Sequence, residues 1–269
     1  MANMLSNKEP WDLVAPGYTD ITMKMFRIYA LAALDLIQTQ RDDHLIDIAC
    51  GPGTVAVEAA PRVQSIEAVD FSQAMLDKLH AIIKDKGISN IHPRNSDCQH
   101  LPYENEKFDA AISLFGLMFF PDRIKGYAEI YRTLKPGGRT VISSWAPVAE
   151  SNGFQLVFGT LRAINPNIPE PQTEIESLEN PEFFKSEMEQ AGFKNVEIHR
   201  VTGEIPFTNA DDFWNDMVRA NAPIAMFKNS MSEDDWTVKN QTAIEHITQQ
   251  TKNKPKALQA HAWLGFGVK

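Results

Sequence analysis

Short apolar runs alternate with segments of helical periodicity over the first 145 residues of the chain. Apolar residues recur every three or four positions at 22–38, which predicts an amphipathic helix. Five strands are then predicted at 44–49, 65–70, 90–95, 108–114 and 139–145. Helices are predicted at 54–60, at 123–134, and between the cap Ser72 and the exit residue Gly87. Strands that alternate with helices indicate a parallel sheet with both faces covered.

The alternation stops after Trp145. Residues 146–180 contain a proline-rich loop at 165–171, and a helix is predicted at 181–191 before Gly192. Two final strands are predicted at 195–201 and 260–268, with an aromatic helical segment at 211–227 between them. We therefore predict an N-terminal helical cap segment at 1–40, a ligand-binding core at 41–146, and cap insertions with the C-terminal strands at 147–269.

Composition narrows the class of protein. The 269 residues are 43% hydrophobic and 23% charged, which is typical of a globular enzyme of one elaborated α/β domain. A net charge of -9 argues against nucleic acid as a partner. The first ten residues do not resemble a signal peptide, the apolar run at 110–121 is too short for a membrane span, and Cys50 and Cys98 lack zinc-site spacing. These features predict a cytoplasmic protein with no metal and no membrane partner.

A glycine turn follows the first predicted strand. Asp47 lies near the strand end, and Gly51 and Gly53 lie in the turn that leads into the next helix. Glycines let the backbone approach a ligand, and the free N–H groups of a helix start attract a carboxylate or phosphate. A plain structural connection explains this turn equally well when it is considered alone.

Two further acidic residues follow the next strands. Asp70 ends the second strand, where its carboxylate could accept the hydroxyls of a ribose or simply cap a helix. Asp97, before Cys98, could accept the amine of adenine or be a solvated loop residue. Because parallel strands end at one edge of the sheet, where open α/β folds bind ligands, the three carboxylates together favour an adenosine-containing ligand.

Together these motifs resemble the class I S-adenosylmethionine (SAM) dependent methyltransferases. The resemblance covers about residues 10–200 and is carried by Asp47-x-x-x-Gly51-x-Gly53, Val69-Asp70-Phe71-Ser72, Asp97-x-x-x-Leu101-Pro102 and Leu134-Lys135-Pro136-Gly137-Gly138. It is strongest to the branch that includes the ubiquinone and menaquinone C-methyltransferases. It implies a Rossmann-like, seven-stranded, mostly parallel α/β sheet with a reversed last hairpin, helices on both faces and a helical cap. Thr54 departs from the pattern, since many members have a third glycine there.

The resemblance also implies a cofactor and its contacts. SAM would be the cofactor and S-adenosylhomocysteine (SAH) its product, with Asp47 at the methionine end, Asp70 at the ribose and Asp97 at the adenine. The predicted cofactor-binding residues are Asp47, Ala49, Gly51, Gly53, Asp70, Phe71, Met75, Asp97, Cys98, Leu114 and Tyr18. For Tyr18, plain aromatic packing is an equally good interpretation.

The methyl acceptor is expected to be a small, apolar or aromatic molecule. Four residues are predicted to line its site, with core packing as the alternative: Phe115, Met118, Phe119 and Trp145. No catalytic base is identified, and His100 is interpreted as a surface residue. The aromatic residues of the cap fit ligand recognition, core packing or homodimer contacts.

Two other functions also fit parts of the pattern. Gly51-x-Gly53-x-x-Ala56 with Asp70 fits the dinucleotide fingerprint of an NAD-linked oxidoreductase, and Tyr131 with Lys135 mimics a reductase dyad. Lys135 directly precedes Pro136, however, which places it at a helix end rather than within a helix. A non-catalytic SAM-binding module is the second alternative.

Overall fold

A central sheet of seven strands organises the chain in the computed structural model, which describes residues 4–171, 177–252 and 257–269. The strands are β1 His44–Ile48, β2 Ser65–Asp70, β3 Ile91–Asn95, β4 Phe108–Ser113, β5 Leu134–Trp145, β6 Lys194–Pro206 and β7 Ala257–Val268. The helices are α1 Glu9–Gly17, α2 Met23–Ile37, α3 Thr54–Ala59, α4 Gln73–Lys86, α5 Arg123–Thr133, α6 Asn152–Ile164, α7 Pro181–Gln190, α8 Ala210–Ala220, α9 Ala222–Asn229 and α10 Glu233–Thr251.

The strand order is β3-β2-β1-β4-β5-β7-β6. The first five strands are parallel, and β7 runs antiparallel between β5 and β6. The predicted Rossmann-like sheet with a reversed last hairpin is therefore confirmed. In central strand β1 the residues from Leu45 to Ile48 are all buried, as expected for a strand covered on both faces.

Helix α4 shows how local sequence fixes an element next to the sheet edge. The Ser72 hydroxyl accepts a hydrogen bond from the Met75 N–H and caps the helix. Gly87, with a φ of 64°, ends the helix in the left-handed conformation. Both predictions for this helix are confirmed, and the capping role that was an alternative for Asp70 belongs to Ser72.

Several elements differ from the sequence-based prediction. Helices α1, α6 and α10 were not predicted, and the segment at 211–227 forms the two helices α8 and α9. Strand β5 begins at Leu134, and β6 continues to Pro206. The extension of β6 pairs Pro206 with Ala257 at the far end of the last hairpin. Cross-strand pairing, which is not visible in one strand alone, sets these lengths.

The cap helices enclose a hydrophobic core of their own. Trp214 is fully buried among residues from α6, α10 and β7, and its indole N–H donates to Asn240 Oδ1 at 3.0 Å. Phe213 and Met217 of α8 are buried in the same cluster. The sequence left core packing, ligand recognition and dimer contacts open for the aromatic residues of the cap. For Trp214, Phe213 and Met217, core packing is the explanation.

The N-terminal segment is one long helical stretch interrupted at the ligand-binding edge. Residues Tyr18–Thr22 form a π-helical turn between α1 and α2, shortly after Pro16, which lacks an N–H for the helical ladder. Gly17 packs directly on α8, because a Cβ there would lie 2.2 Å from the Arg219 carbonyl oxygen. Within the described ranges, none of the helices has the length and apolar character of a membrane span.

Candidate functional site

The turn after β1 brings backbone to the carboxyl edge of the sheet. Ala49, Gly51 and Gly53 all have positive φ, at 54°, 53° and 88°. The Cys50 N–H donates to the Val69 carbonyl of β2, and the Gly53 N–H donates to the Cys50 carbonyl. For Ala49 the left-handed conformation costs on the order of 1 kcal/mol, and such strain is typical of ligand sites.

The two glycines of this turn have different surroundings. A Cβ on Gly51 would meet no atom within 4 Å, so this position faces open space. A Cβ on Gly53 would lie 2.4 Å from Leu79 Cδ1, so this position faces the packed helix α4. Gly51 thus leaves room for a ligand, whereas Gly53 allows the close packing of α3 and α4.

Asp47 is a buried carboxylate at the methionine end of the predicted site. Its Oδ2 accepts the Ala56 N–H at 3.0 Å, and only 1% of the residue is exposed. Burial raises the pKa of Asp47 to about 7; the Ala56 hydrogen bond opposes this shift and the charge of Asp70 adds to it. A cationic group such as an ammonium would restore the ionised carboxylate.

Asp70 ends β2 and is held by two backbone groups. Gly51 N–H donates to Oδ2 and Ser72 N–H donates to Oδ1, each at 2.8 Å. Burial raises the pKa of Asp70 to about 6 although these hydrogen bonds lower it. A carboxylate has about four lone-pair sites, so Asp70 keeps the capacity to accept two hydroxyls.

Asp97 and Cys98 follow β3 on the other side of Asp70. Asp97 accepts the Gln99 N–H at 2.8 Å and pairs with His100 Nδ1 at 3.1 Å. Partial burial raises the pKa of Asp97, but these hydrogen bonds outweigh it and lower the pKa overall. The His100 side chain is 65% exposed, in agreement with its interpretation as a surface residue.

Two adjoining cavities surround these carboxylates. The larger, with an empty volume of about 680 Å³, is lined by Leu5, Ser6, Trp11, Tyr18, Ala49, Gly51, Asp70, Phe71, Met75, Asp97, Cys98, Gln99, Leu114, Phe115, Gly116, Phe119, Phe120 and Pro121. The smaller, about 290 Å³, is lined by Tyr18, Phe26, Asp47, Ala49, Cys50, Gly51, Thr54, Val55 and Leu114. They share Tyr18, Ala49, Gly51 and Leu114. An extended ligand across Gly51 would therefore reach Asp47 at one end and Asp97 at the other.

The N-terminal segment closes the larger cavity. The Ser6 hydroxyl donates to the Phe119 carbonyl at 2.7 Å, and the Trp11 ring lies 5.1 Å from the Phe119 ring. Tyr18, on the π-helical turn, lines both cavities. Burial, and secondarily the charge of Asp70, raises the pKa of Tyr18, so its phenol stays protonated at neutral pH.

Three predicted site residues line neither of these cavities. Gly53 faces α4, as described above. Trp145 lies behind Phe115 and stacks on it with ring centroids 3.9 Å apart, and Met118 packs among core residues. The Phe115 ring thus lies between Trp145 and the larger cavity, and the contacts of Trp145 and Met118 with an acceptor remain predictions.

The structure also adds residues that the sequence did not indicate. Leu5, Ser6, Gln99, Gly116 and Phe120 line the larger cavity. Leu5 and Ser6 precede the predicted helix, and no local sequence signal indicates that they line the cavity. For Gln99, its position between Asp97 and the Leu101-Pro102 motif was an available signal.

The comparisons with known proteins agree with this geometry. Residues 45–138 match the methyltransferase domain family Methyltransf_25. The ubiquinone/menaquinone biosynthesis C-methyltransferase UbiE of Geotalea daltonii is 28% identical over 214 residues, covering 72% of this chain and 91% of that protein. UbiE of Citrifermentans bemidjiense is 32% identical over 175 residues, covering 60% of this chain and 74% of that protein. The crystal structure of the cyclase SpnF has a TM-score of 0.61 at 17% identity, covering 97% and 94% of the two chains.

The chain belongs to the class I SAM-dependent methyltransferases. It is a SAM-dependent enzyme that methylates a small molecule, and within the class it resembles the UbiE-type C-methyltransferases. The alternative of an NAD-linked oxidoreductase is thereby excluded. Lys135 of its apparent dyad instead pairs with Asp109 Oδ1 at 2.7 Å.

Proposed function

We propose that this enzyme transfers a methyl group to a small, apolar, aromatic acceptor bound beside Phe115. The observation that carries the proposal is the wall of the larger cavity, where the apolar side chains of Leu5, Trp11, Phe115, Phe119 and Phe120 share the cavity with Asp70 and Asp97. Apolar and aromatic walls with a few polar groups are typical of sites for such ligands. Flat rings gain stacking contacts there without leaving buried polar groups unpaired.

The cofactor contacts are part of this proposal. Asp47 would accept the ammonium of SAM, Asp70 its ribose hydroxyls, and Asp97 with Cys98 would hold adenine. The open space at Gly51 supports this placement, because it lets the ligand cross from one cavity to the other. When bound, SAM supplies a methyl group already activated on a sulfonium, so the protein's task is alignment and exclusion of water.

The protonation states of the lining groups indicate which acceptors fit. Burial raises the pKa of Tyr18, Cys50 and Cys98, so none of them is a base at neutral pH. Asp47 and Asp70 already accept backbone N–H groups and are assigned to SAM in this proposal, so neither is available as a base for the acceptor. We infer that the acceptor is a ring whose own electron-donating substituents make a carbon nucleophilic. The names of the UbiE relatives point to ubiquinone and menaquinone precursors as examples of such rings.

A methyl-transfer screen tests the proposed acceptor class. The protein is incubated with SAM labelled in the methyl group and with reduced naphthoquinones, catechols, phosphoethanolamine or glycine, and labelled products are identified by mass spectrometry. Transfer to the electron-rich aromatic acceptors and not to the polar amines is expected. Transfer only to the amines, or SAH binding without transfer to any of the aromatic acceptors, would contradict the proposed acceptor class.

We also propose a cytoplasmic location and allow for a homodimer, both on the basis of the sequence. Sedimentation at several protein concentrations measures the oligomeric state. If the protein sediments as a monomer at every concentration, the proposed homodimer is wrong.

A further inference from the structure

A carboxylate on α1 contacts the loop that carries the ribose site. Asp12 Oδ1 accepts the Ser72 hydroxyl at 2.5 Å, across 60 residues of sequence. Asp12 is half-buried, and Trp11 beside it lines the larger cavity. The contact therefore links the segment that covers the cavity to the end of β2.

Ser72 connects Asp12 to Asp70. Its N–H donates to Asp70 Oδ1 at 2.8 Å, while its hydroxyl oxygen accepts the Met75 N–H at 3.1 Å. Asp70 in turn receives the Gly51 N–H on its other oxygen. The hydrogen bonds run without interruption from α1 through Ser72 and Asp70 to the glycine turn.

This arrangement brings two carboxylates together. The charge of Asp12 adds to the effect of burial in raising the pKa of Asp70, so the pair carries an electrostatic cost. Helix α4 is already capped by the Ser72 oxygen, so the cap does not require Asp12. What Asp12 adds is a connection between α1 and the ribose carboxylate.

We propose that Asp12 is a positioning residue that, through Ser72, couples the docking of α1 over the cavity to the placement of the Asp70 carboxylate. The inference rests on the proposed binding of the ribose at Asp70. Since Trp11 and Tyr18 of the same helical stretch line the cavity together with Asp70, a cofactor bound there would contact both ends of this connection. Coupling is reciprocal, so cofactor binding holds α1 in place and docked α1 slows cofactor release.

Three variants test the coupling. Asp12→Ala removes the acceptor, and Asp12→Asn keeps an oxygen for the Ser72 hydroxyl without the charge. Asp20→Ala is the matched control, because Asp20 is an exposed carboxylate on the same helical stretch and pairs with Arg219 of α8. SAH affinity is measured by calorimetry, and its release rate is measured by displacing labelled SAH with an excess of unlabelled SAH. Hydrogen exchange of residues 9–17 reports the docking of α1.

The coupling predicts different results for the three variants. Asp12→Ala should weaken SAH binding roughly tenfold, as for one lost charge-assisted hydrogen bond, mainly through faster release. Bound SAH should also protect residues 9–17 less than in the wild type. Asp12→Asn should recover most of the affinity and protection, and Asp20→Ala should match the wild type.

Several results would overturn the inference. They are an unchanged SAH affinity in Asp12→Ala, an equal loss in Asp20→Ala, an equal loss in Asp12→Asn, or a lower affinity with unchanged protection of α1. Removing one of two neighbouring carboxylates does not threaten the fold, and thermal unfolding of each variant checks this. Methyl transfer is scored separately, so a wild type that binds SAH with coupled α1 protection but methylates no acceptor rejects the proposed function and leaves the coupling intact.

Discussion

Gly51 and Gly53 lie in the same turn and share a positive φ, but only Gly51 borders the cavities. Gly51→Ala should cost about 1–2 kcal/mol of stability from the left-handed conformation alone and should weaken SAH binding at least tenfold, because the methyl projects into the ligand path. Gly53→Ala should cost about 2–4 kcal/mol, because Leu79 must also move. Chemical denaturation and SAH calorimetry on both variants make the comparison. Equal effects on binding and stability in the two variants would contradict these separate roles.

Gly116 lies between the ends of β1 and β4. A Cβ there would lie 2.4 Å from the Ala49 Cβ, so Gly116→Ala should displace the strained Ala49 and weaken SAH binding. Ala49→Gly removes both the clash and the strain, so the double variant should bind SAH more tightly than Gly116→Ala alone. A double-mutant cycle compares the SAH affinities of the wild type, the two single variants and the double variant. If the changes in SAH binding free energy of the two single variants simply add up in the double variant, Gly116→Ala does not act through Ala49.

At the residue scale, the sequence was sufficient where a residue's position along a strand decides where it lies. The location of Asp47, Asp70 and Asp97 at one edge of the sheet could be predicted because the ends of parallel strands meet there. The orientations of Trp145 and Met118 could not be predicted, because tertiary packing sets them. The Phe115 ring separates Trp145 from the cavity, and Met118 packs among core residues. The strain at Ala49 and Phe115 was equally hidden, since both residue types ordinarily avoid positive φ.

Among the elements, α1 covers the larger cavity and packs on α8 through Gly17. Gly17 has ordinary helical φ and ψ, so alanine would favour the helix itself by about 1 kcal/mol. Because the added Cβ would lie 2.2 Å from the Arg219 carbonyl oxygen, Gly17→Ala should instead push α1 from α8. We expect weaker SAH binding and faster proteolysis near residues 9–17, measured by calorimetry and limited digestion. A more stable variant with unchanged affinity would contradict this role of the contact.

Strands β1, β2 and β4 could be predicted because short, largely apolar runs mark them, and helix α4 could be predicted from its helical period, its Ser72 cap and its Gly87 exit. Helix α10 was missed because only Ala243 and Ile247 of its 19 residues are buried, which leaves little periodic apolar signal. Helix α1 carries Pro10 and Pro16, which argue locally for a turn. Packing against α4, α8 and α9 overrides that local preference.

Over the whole molecule, the buried carboxylates link stability to pH and to the ligand. The pKa of Asp47 is raised to about 7 and that of Asp70 to about 6, so ionising them costs folding free energy. This cost appears as pH rises from about 4 to 7, and it is complete above pH 7. An ammonium beside Asp47 favours the ionised form, so SAH affinity should increase as pH rises through this range. Thermal unfolding with and without SAH between pH 5.5 and 8 should show a growing stabilisation by the ligand.

The variant Asp47→Asn tests whether the pH dependence of stability and of SAH binding comes from Asp47. The amide oxygen can still accept the Ala56 N–H, whereas the charge is lost. At pH 8 the variant without ligand should be more stable by on the order of 1–2 kcal/mol, because no charge is buried, although the buried amide N–H groups offset part of this gain. SAH should stabilise the variant less than the wild type. A variant that is less stable at pH 8, or that keeps full SAH binding, would contradict the role of Asp47.

The most direct test of the account is calorimetric titration of SAH into the wild type and into Asp70→Ala, with NAD as the control ligand. The wild type should bind SAH and not NAD. The folded variant should lose about 1–3 kcal/mol of binding free energy with the ribose contact. Binding of NAD alone, or an unchanged SAH affinity in a folded Asp70→Ala protein, would contradict the placement of the cofactor across these strand ends.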